Sequence, residues 1–340
     1  DFTLFAIWAP NSLTVTFDSQ SGSVVSNGTV ATNATLTAPT APTRAGYTFS
    51  GWSTTSTGSV VSFTGGYTHG QTANFTLYAI WSANALTVTY DSKGGTAVTS
   101  GTVNTAASIS SAPTAPTRTG YTFSAWSATD GGTAITFPYA HGQTANFTLY
   151  ALWTAGSLVI TFDAKGGTSV SNGSTNSGGS ITSAPTAPTR TGYTLDGWSL
   201  TDGGNVVTFP FAHGQTANFT MYAKWTGTTN TITYDSKGGT SVSNGSFVTG
   251  GSISAAPTAP TRAGYTLSGW SLTDGGSVIT YPYSPTATSG ITLYAIWAAV
   301  SCSPTSATTG GYTIYTFATV GTCFWTVPNG VTDVEILAVA

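Results

Sequence analysis

Charge is nearly missing from this chain. Asp, Glu, Lys and Arg together supply 6% of its 340 residues, against about 25% in an ordinary soluble protein. The eight Lys and Arg stand singly and the net charge is −3. No basic stripe exists to neutralise phosphates, which excludes nucleic acid as a partner. Cysteine is almost as scarce, with Cys302 and Cys323 the only two. An isolated pair lacks the clustered spacing of a zinc site and leaves a disulfide and two free buried thiols both open. A disulfide would close a loop of about 20 residues and contribute roughly 3 kcal/mol in the loop-entropy model. No run of about 18 apolar residues occurs, so this stretch has no helical membrane span. No secretory leader is visible, which says little about export in a chain that opens abruptly on DFTLFAIW.

Ser, Thr, Asn and Gly fill the space instead, with ample apolar area for packed cores. Forty per cent of residues are hydrophobic, including 16 Phe, 16 Tyr and 10 Trp. They are laid out as an array. LFAIW, LYAIW, LYALW, MYAKW and LYAIW end on Trp8, Trp81, Trp153, Trp225 and Trp297, spaced 73, 72, 72 and 72 apart, and such a period marks tandem modules. PTAPTR starts at Pro39, Pro113, Pro185 and Pro257. Four whole modules are read as residues 10–81, 82–153, 154–225 and 226–297. Residues 1–9 match the last strand of a preceding module, and residues 298–340 begin a different, incomplete β domain.

Each module reads as mainly β, with little or no helix. LTVTYD (86–91), LVITFD (158–163) and TITYD (231–235) alternate apolar and polar residues with period two, the mark of a strand with one buried face. The Lys-Gly-Gly turn that follows relies on glycine's access to positive φ. Two prolines in APTAPTR deny a long helix. GYTFSGW and its counterparts form the next strand, with Tyr and Trp as core anchors. TDGG then turns the chain, and NFTLYAIW closes the module. Linkers such as SANA after Trp81 are too short for a flexible tether. Compact-domain scaling gives roughly 30 Å per module, on the order of 120 Å for four in a row.

The combination of a TVTFD strand, a Gly-Gly turn, AP-x-x-PTR-x-GYTF-x-GW and a final LYAxW resembles the Listeria–Bacteroides repeat, the module of internalin B-repeats. It covers roughly residues 10–297, with one departure: Gln20-Ser21-Gly22 stands for Lys-Gly-Gly in the first module. The resemblance implies a small β-grasp-like fold, strung in tandem on large bacterial surface proteins as spacer and adhesion modules. It brings no catalytic residues. The C-terminal stretch, from GYTIYTF to VEILAVA, is similar to segments that introduce glycine-rich domains of bacterial surface proteins. Its open apolar run marks the chain as a fragment of something larger.

HGQTANFT occurs unchanged at 69–76, 141–148 and 213–220 and holds all three histidines. His69, His141 and His213 lie one to a module, roughly 30 Å apart by the same scaling, too far to share a metal. No carboxylate lies close in sequence to orient a catalytic imidazole. The fourth module, aligned without gaps, puts Pro285 where His213 would be and Ala287 in place of Gln215, yet keeps the strand. Local hydrogen bonding is therefore the reading placed ahead of ligand contact. Asp91, Asp163 and Asp235 open the Lys-Gly-Gly turn, and Asp130, Asp202 and Asp274 open the second Gly-Gly turn, where Asp caps backbone N–H groups. Lys93, Lys165 and Lys237 read as solvated, and the two Trp of each module as core rather than sugar platform. No calcium pattern, cofactor motif or catalytic constellation emerges.

These readings converge on a non-enzymatic, extracellular stalk or spacer of a bacterial surface or fibre protein, semi-rigid along its repeats. An adhesin that contacts glycan or host surface through repeat loops stands second, and a strand-exchanging filament subunit third. The expected partners are neighbouring repeats, surface glycan or other copies of the protein.

Overall fold

A computed structural model describes residues 1–318 and 321–337. The apolar run 334–340 is thus covered only to Leu337, and its last three residues lie outside the described residues. Two compact units divide the chain, one of Asp1–Ser157 with Asn176–Gly178, the other of Leu158–Thr175 with Gly179–Ala340. The first carries two four-stranded sheets, and the second carries two more with a C-terminal hairpin.

All four sheets share one plan and no helix joins them among the described residues. An opening strand (Ser12–Asp18, Ala85–Asp91, Ser157–Asp163, Thr229–Asp235) has a short side strand on one flank (Gly28–Ala31, Gly101–Asn104, Gly173–Asn176, Gly245–Val248). On its other flank lies the closing strand (Phe75–Ala83, Phe147–Ala155, Phe219–Gly227, Ile291–Ala299), and beyond that the Tyr–Trp strand (Tyr47–Ser53, Tyr121–Ser127, Tyr193–Ser199, Tyr265–Ser271). Opening and closing strands run parallel, in registers such as Val88↔Phe147 and Leu149↔Tyr90, whereas Tyr–Trp strand and closing strand pair antiparallel. A parallel pair needs a long crossover, and the proline-rich stretch, the Tyr–Trp strand and a small two-stranded ribbon supply it. That ribbon joins Thr35–Leu36 to Tyr67–Thr68 in the first repeat, and Ser180–Ile181 to Phe211–Ala212 in the third.

The period-two pattern buries one face. Leu86 and Val88, or Leu158, Ile160 and Phe162, point into the core, where they meet Leu149 or Met221 of the closing strand. The Trp of each Tyr–Trp strand is the largest member: Trp126, Trp198 and Trp270 are 1%, 2% and 1% exposed. Tyr90 and Phe162 meet these indoles at centroid distances of 5.1 and 4.9 Å. Truncating so buried a Trp costs about 3–5 kcal/mol.

Each Tyr–Trp strand slips register two residues before its Trp, at Ser50, Ser124, Asp196 or Ser268, and pairing resumes at Gly51, Ala125, Gly197 or Gly269. The three glycines face Val60, Val206 and Val278, whose methyl carbons would lie 2.2, 2.4 and 2.3 Å from an added Cβ. The second repeat changes both partners at once, to Ala125 and Ala134. It makes room for the methyl of Ala125 by shrinking the facing valine to alanine.

Residues 1–10 repeat a closing-strand sequence, yet they carry no regular structure and are exposed. A closing strand is interior to its sheet and needs both an opening and a Tyr–Trp strand beside it. In the C-terminal segment, Thr305–Thr309 and Tyr312–Thr316 form a hairpin, and a disulfide joins Cys302 to Cys323 with Cα atoms 5.3 Å apart.

Candidate functional site

HGQTANFT acts as a clip inside each repeat. His141 is 4% exposed; its Nδ1 accepts the Gln143 backbone N–H at 2.9 Å, and its Nε2 faces the Asn104 carbonyl of the side strand at 3.3 Å. With Nδ1 accepting, this network assigns the proton to Nε2. His69 repeats the arrangement with Gln71 and the Ala31 carbonyl. His213 accepts from Gln215 and meets Thr175 Oγ1 at 3.1 Å. Each ring lies against the Phe six residues on, with centroids 4.9, 4.9 and 5.0 Å apart for Phe75, Phe147 and Phe219. Asn74, Asn146 and Asn218 complete the clip: each Oδ1 accepts an opening-strand N–H, from Thr14, Thr87 or Val159, at 2.8 Å. Every histidine is thus engaged within its own repeat. In the fourth repeat buried Pro285 takes the imidazole's place and the ribbon shrinks to one bridge, Ile253↔Tyr283.

The Lys-Gly-Gly turn is built differently from its sequence reading. Asp91 Oδ1 caps the Lys93 N–H at 2.8 Å as expected. The left-handed pair, however, is Lys93 and Gly94, with φ 51° and 87°. The second glycine is needed for space, because an added Cβ on Gly95 would sit 2.6 Å from Trp153 Cζ2. That indole donates its N–H to the Ser92 carbonyl at 2.9 Å. Trp81, Trp225 and Trp297 make the same 2.9 Å bond to Ser19, Ala164 and Ser236. So the closing Trp is a half-buried pin on the turn, while its partner in the Tyr–Trp strand is core.

The lysines are not free in solvent. Lys93, Lys165 and Lys237 pair with Asp130, Asp202 and Asp274, each at 2.6 Å. Those carboxylates therefore do not hold their own Gly-Gly turn; the Thr129 carbonyl does, accepting Gly132 N–H and Ser127 Oγ. The hydrogen bond that each lysine donates to its Asp holds the ammonium above the ordinary lysine range, although both partners are open to water and contribute little to stability. The pair was detectable in the sequence, because the first repeat loses both members together, to Gln20 and Ser56.

Beside this turn runs an open groove of about 550 Å³ in the third repeat, lined by Gly166, Gly167, Pro188, Thr189, Arg190, Tyr193 and Trp225 among others. The Arg190 guanidinium lies over the Tyr193 ring, 3.8 Å from its centroid. Arg44, Arg118 and Arg262 stack on Tyr47, Tyr121 and Tyr265 at 4.0, 3.9 and 3.9 Å.

Successive repeats meet through a backbone joint. In the first unit, Asn84 N–H donates to the Gly46 carbonyl of one repeat, while its own carbonyl accepts Thr105 N–H of the next, both at 2.9 Å. In the second unit Thr228 does the same between Gly192 and Thr249, at 2.9 and 3.0 Å. Val300 links Gly264 to Phe324, carrying the pattern into the C-terminal segment. The glycine is doubly constrained. Gly46 and Gly192 sit at φ 79° and 77° in a tight turn, and an added Cβ would lie 2.7 Å from Thr105 or Thr288. Among the described residues no group of three His, Cys, Asp or Glu could hold a metal, and no helix is long and apolar enough to cross a membrane.

The sequence that builds these repeats is similar to known proteins. A putative Gly-rich membrane protein and a putative membrane protein of Evansella cellulosilytica are each 30% identical to the chain over 196 residues, 58% of its length. Internalin H of Listeria monocytogenes is 37% identical over 127 residues, 37% of the chain. The chain spans only 22%, 29% and 22% of those three proteins. The Listeria-Bacteroides repeat domain matches at residues 14–80, 87–152, 159–224 and 231–296, well over half of the chain and once for each sheet. The chain belongs to the Listeria-Bacteroides repeat family.

Proposed function

We propose that this chain is a length of semi-rigid spacer from an extracellular bacterial surface protein. The joint carries the reading. Within each unit one junction residue donates to the repeat before it and accepts from the repeat after it, which leaves no flexible linker between those two repeats. A tether meant only to connect would instead use a longer polar or proline-rich segment. The names of the relatives, an internalin and two membrane proteins, support a place at the cell surface. The mixed sheet with a parallel centre supports reading each repeat as β-grasp-like, its proline-rich crossover standing where a helix would pack. The C-terminal segment, which the joint reaches through Val300 and Phe324, reads as the start of the glycine-rich type of domain.

Small-angle X-ray scattering tests the spacer role. An extended array gives a largest dimension on the order of 120 Å, whereas one compact globule of this length would measure about 50 Å. A compact particle at low concentration would sink the reading. Pulling the chain by its ends adds a second observable: each repeat should lengthen by about 200–250 Å on unfolding, in separate events.

A further inference from the structure

We propose that the groove beside the turn that follows each opening strand is a binding subsite for a carboxylated glycan, with the arginine of PTR as its anchor. The argument starts from charge. The chain has eight cations; three lysines are paired with aspartates, and Lys224 donates to the Gly204 carbonyl at 3.2 Å. The other four are Arg44, Arg118, Arg190 and Arg262, one per repeat, and among the described residues none has a carboxylate partner. Each is half-buried, although water would solvate it better at the surface. The tyrosine face beneath holds the guanidinium flat, which pre-orders its fork of donors for a planar anion. Such a fork fits a carboxylate in two parallel hydrogen bonds.

The groove around it suits a sugar. Its volume of about 550 Å³ falls in the range of small-ligand sites. Half-buried Trp225 forms one wall, and Thr168, Thr189 and Thr191 bring hydroxyls for hydroxyl partners. The turn's own carboxylate, Asp163, is committed to the Lys165 N–H at 2.9 Å. The arginine, its tyrosine and the glycine–tryptophan wall recur in every repeat, with Gly22, Gly95 and Gly239 against Trp81, Trp153 and Trp297, whereas Thr191 is replaced by Ala45 and Ala263 in the first and fourth repeats. A single groove of this size binds weakly, but four in one chain suit a polymer whose acid group repeats. This inference is independent of the spacer role: scattering could overturn that role without touching the subsite, and calorimetry could overturn the subsite without touching the role.

The test is titration calorimetry of the whole chain with polygalacturonate, galacturonate, neutral dextran and polyphosphate at low salt. The expected result is binding of polygalacturonate about 100-fold or more tighter, per chain, than galacturonate, with no binding of dextran. Replacing all four arginines (R44Q, R118Q, R190Q, R262Q) should lower that affinity at least about tenfold, and the four lysine variants should fall in between. Binding that survives the glutamine set in a chain with unchanged near-UV circular dichroism would overturn the proposal, as would no binding at millimolar galacturonate units. Polyphosphate binding without polygalacturonate binding would overturn the carboxylate assignment. Should the glutamine set fail to fold, the unaltered chain decides: polygalacturonate should shield Arg44, Arg118, Arg190 and Arg262 from phenylglyoxal, and equal modification with and without it refutes the site.

Discussion

Tyr281 stands where the other repeats have Phe63, Phe137 and Phe209, and Tyr281→Phe should stabilise the fourth repeat. The ring packs against that repeat's core, yet its Oη is buried with no hydrogen-bond partner among the described atoms. Unfolding returns the hydroxyl to water. Leaving such a group unpaired costs about 1–3 kcal/mol, while deleting one oxygen forfeits only a few tenths in contacts. The net gain is therefore about 1–2 kcal/mol. For a unit of this size about 1 kcal/mol moves the melting midpoint by roughly 4–8 °C, less where the third repeat melts together with the fourth. Scanning calorimetry of the whole chain reads the shift directly.

Alkaline pH supplies a second arm. Burial, with a smaller contribution from Tyr234, pushes the Tyr281 phenol up to about 12, whereas in the unfolded chain it ionises near 10. Its contribution is fully present below about pH 10 and is lost as pH rises through about 12, because the unfolded chain sheds the proton first. The lysine pairs weaken in the same direction, since the hydrogen bond to Asp raises each ammonium above its ordinary range. That loss is common to both proteins and cancels in their difference. The gap between Tyr281→Phe and the parent should widen from about pH 10 upward. An unchanged or lowered midpoint, or a gap constant across that window, would mean that the hydroxyl has a partner and that the reasoning is wrong.

Gly95→Ala should cost about 1–3 kcal/mol in urea denaturation by driving a methyl into Trp153, and adding Trp153→Phe should recover part of the loss. Ala134→Val should destabilise the second repeat, and Ala125→Gly in the same chain should restore it, with a coupling of about 0.5–3 kcal/mol in a double-mutant cycle. Additive losses would show that the two sites do not touch. His141→Ala should cost about 1–3 kcal/mol through the stranded Gln143 N–H and Asn104 carbonyl, measured by thermal melting. Gly192→Ala combines a forbidden φ with a 2.7 Å approach to Thr288, so the third and fourth repeats should melt in separate calorimetric transitions where the parent shows one.

Much of each sheet was readable because its determinants are local. Leu86 and Val88 alternate with threonines, Trp126 sits in an apolar strand, and two prolines forbid a helix between them. The contacts that escaped link residues far apart in the chain. Lys93 and Asp130 are 37 residues apart, and no rule of spacing joins them; only their joint replacement in the first repeat hints at the pair. The joint is harder still, because Asn84, Thr228 and Val300 use backbone groups and so differ freely in side chain. Its one residue-level trace is the glycine before each tyrosine, which the sequence alone reads as part of the Tyr–Trp strand. Residues 1–10 show the converse limit: the apolar pattern of a closing strand is present, but a strand interior to a sheet is specified by neighbours that the segment does not itself contain.

Three identical copies of HGQTANFT invite a catalytic reading, since chemistry tolerates little change. The contacts supply a different reason for identity. His takes the Gln N–H and reaches toward the side strand or Thr175, Phe covers the ring, and Asn fixes the opening strand. Removing the imidazole strands the Gln N–H and the side-strand carbonyl at about 1–3 kcal/mol, whereas the bond from Gln uses only its backbone and the Asn serves the opening strand. The fourth repeat replaces all four residues: Pro285 for His, Ala287 for Gln, Gly290 for Asn and Ile291 for Phe. A buried proline ring leaves no imidazole nitrogen to satisfy. Gly290 then fits where a Cβ would lie 3.0 Å from the Thr231 carbonyl. The histidine and asparagine are explained by the backbone and side-strand groups that they satisfy, which a clip requires and a catalytic site would not by itself explain.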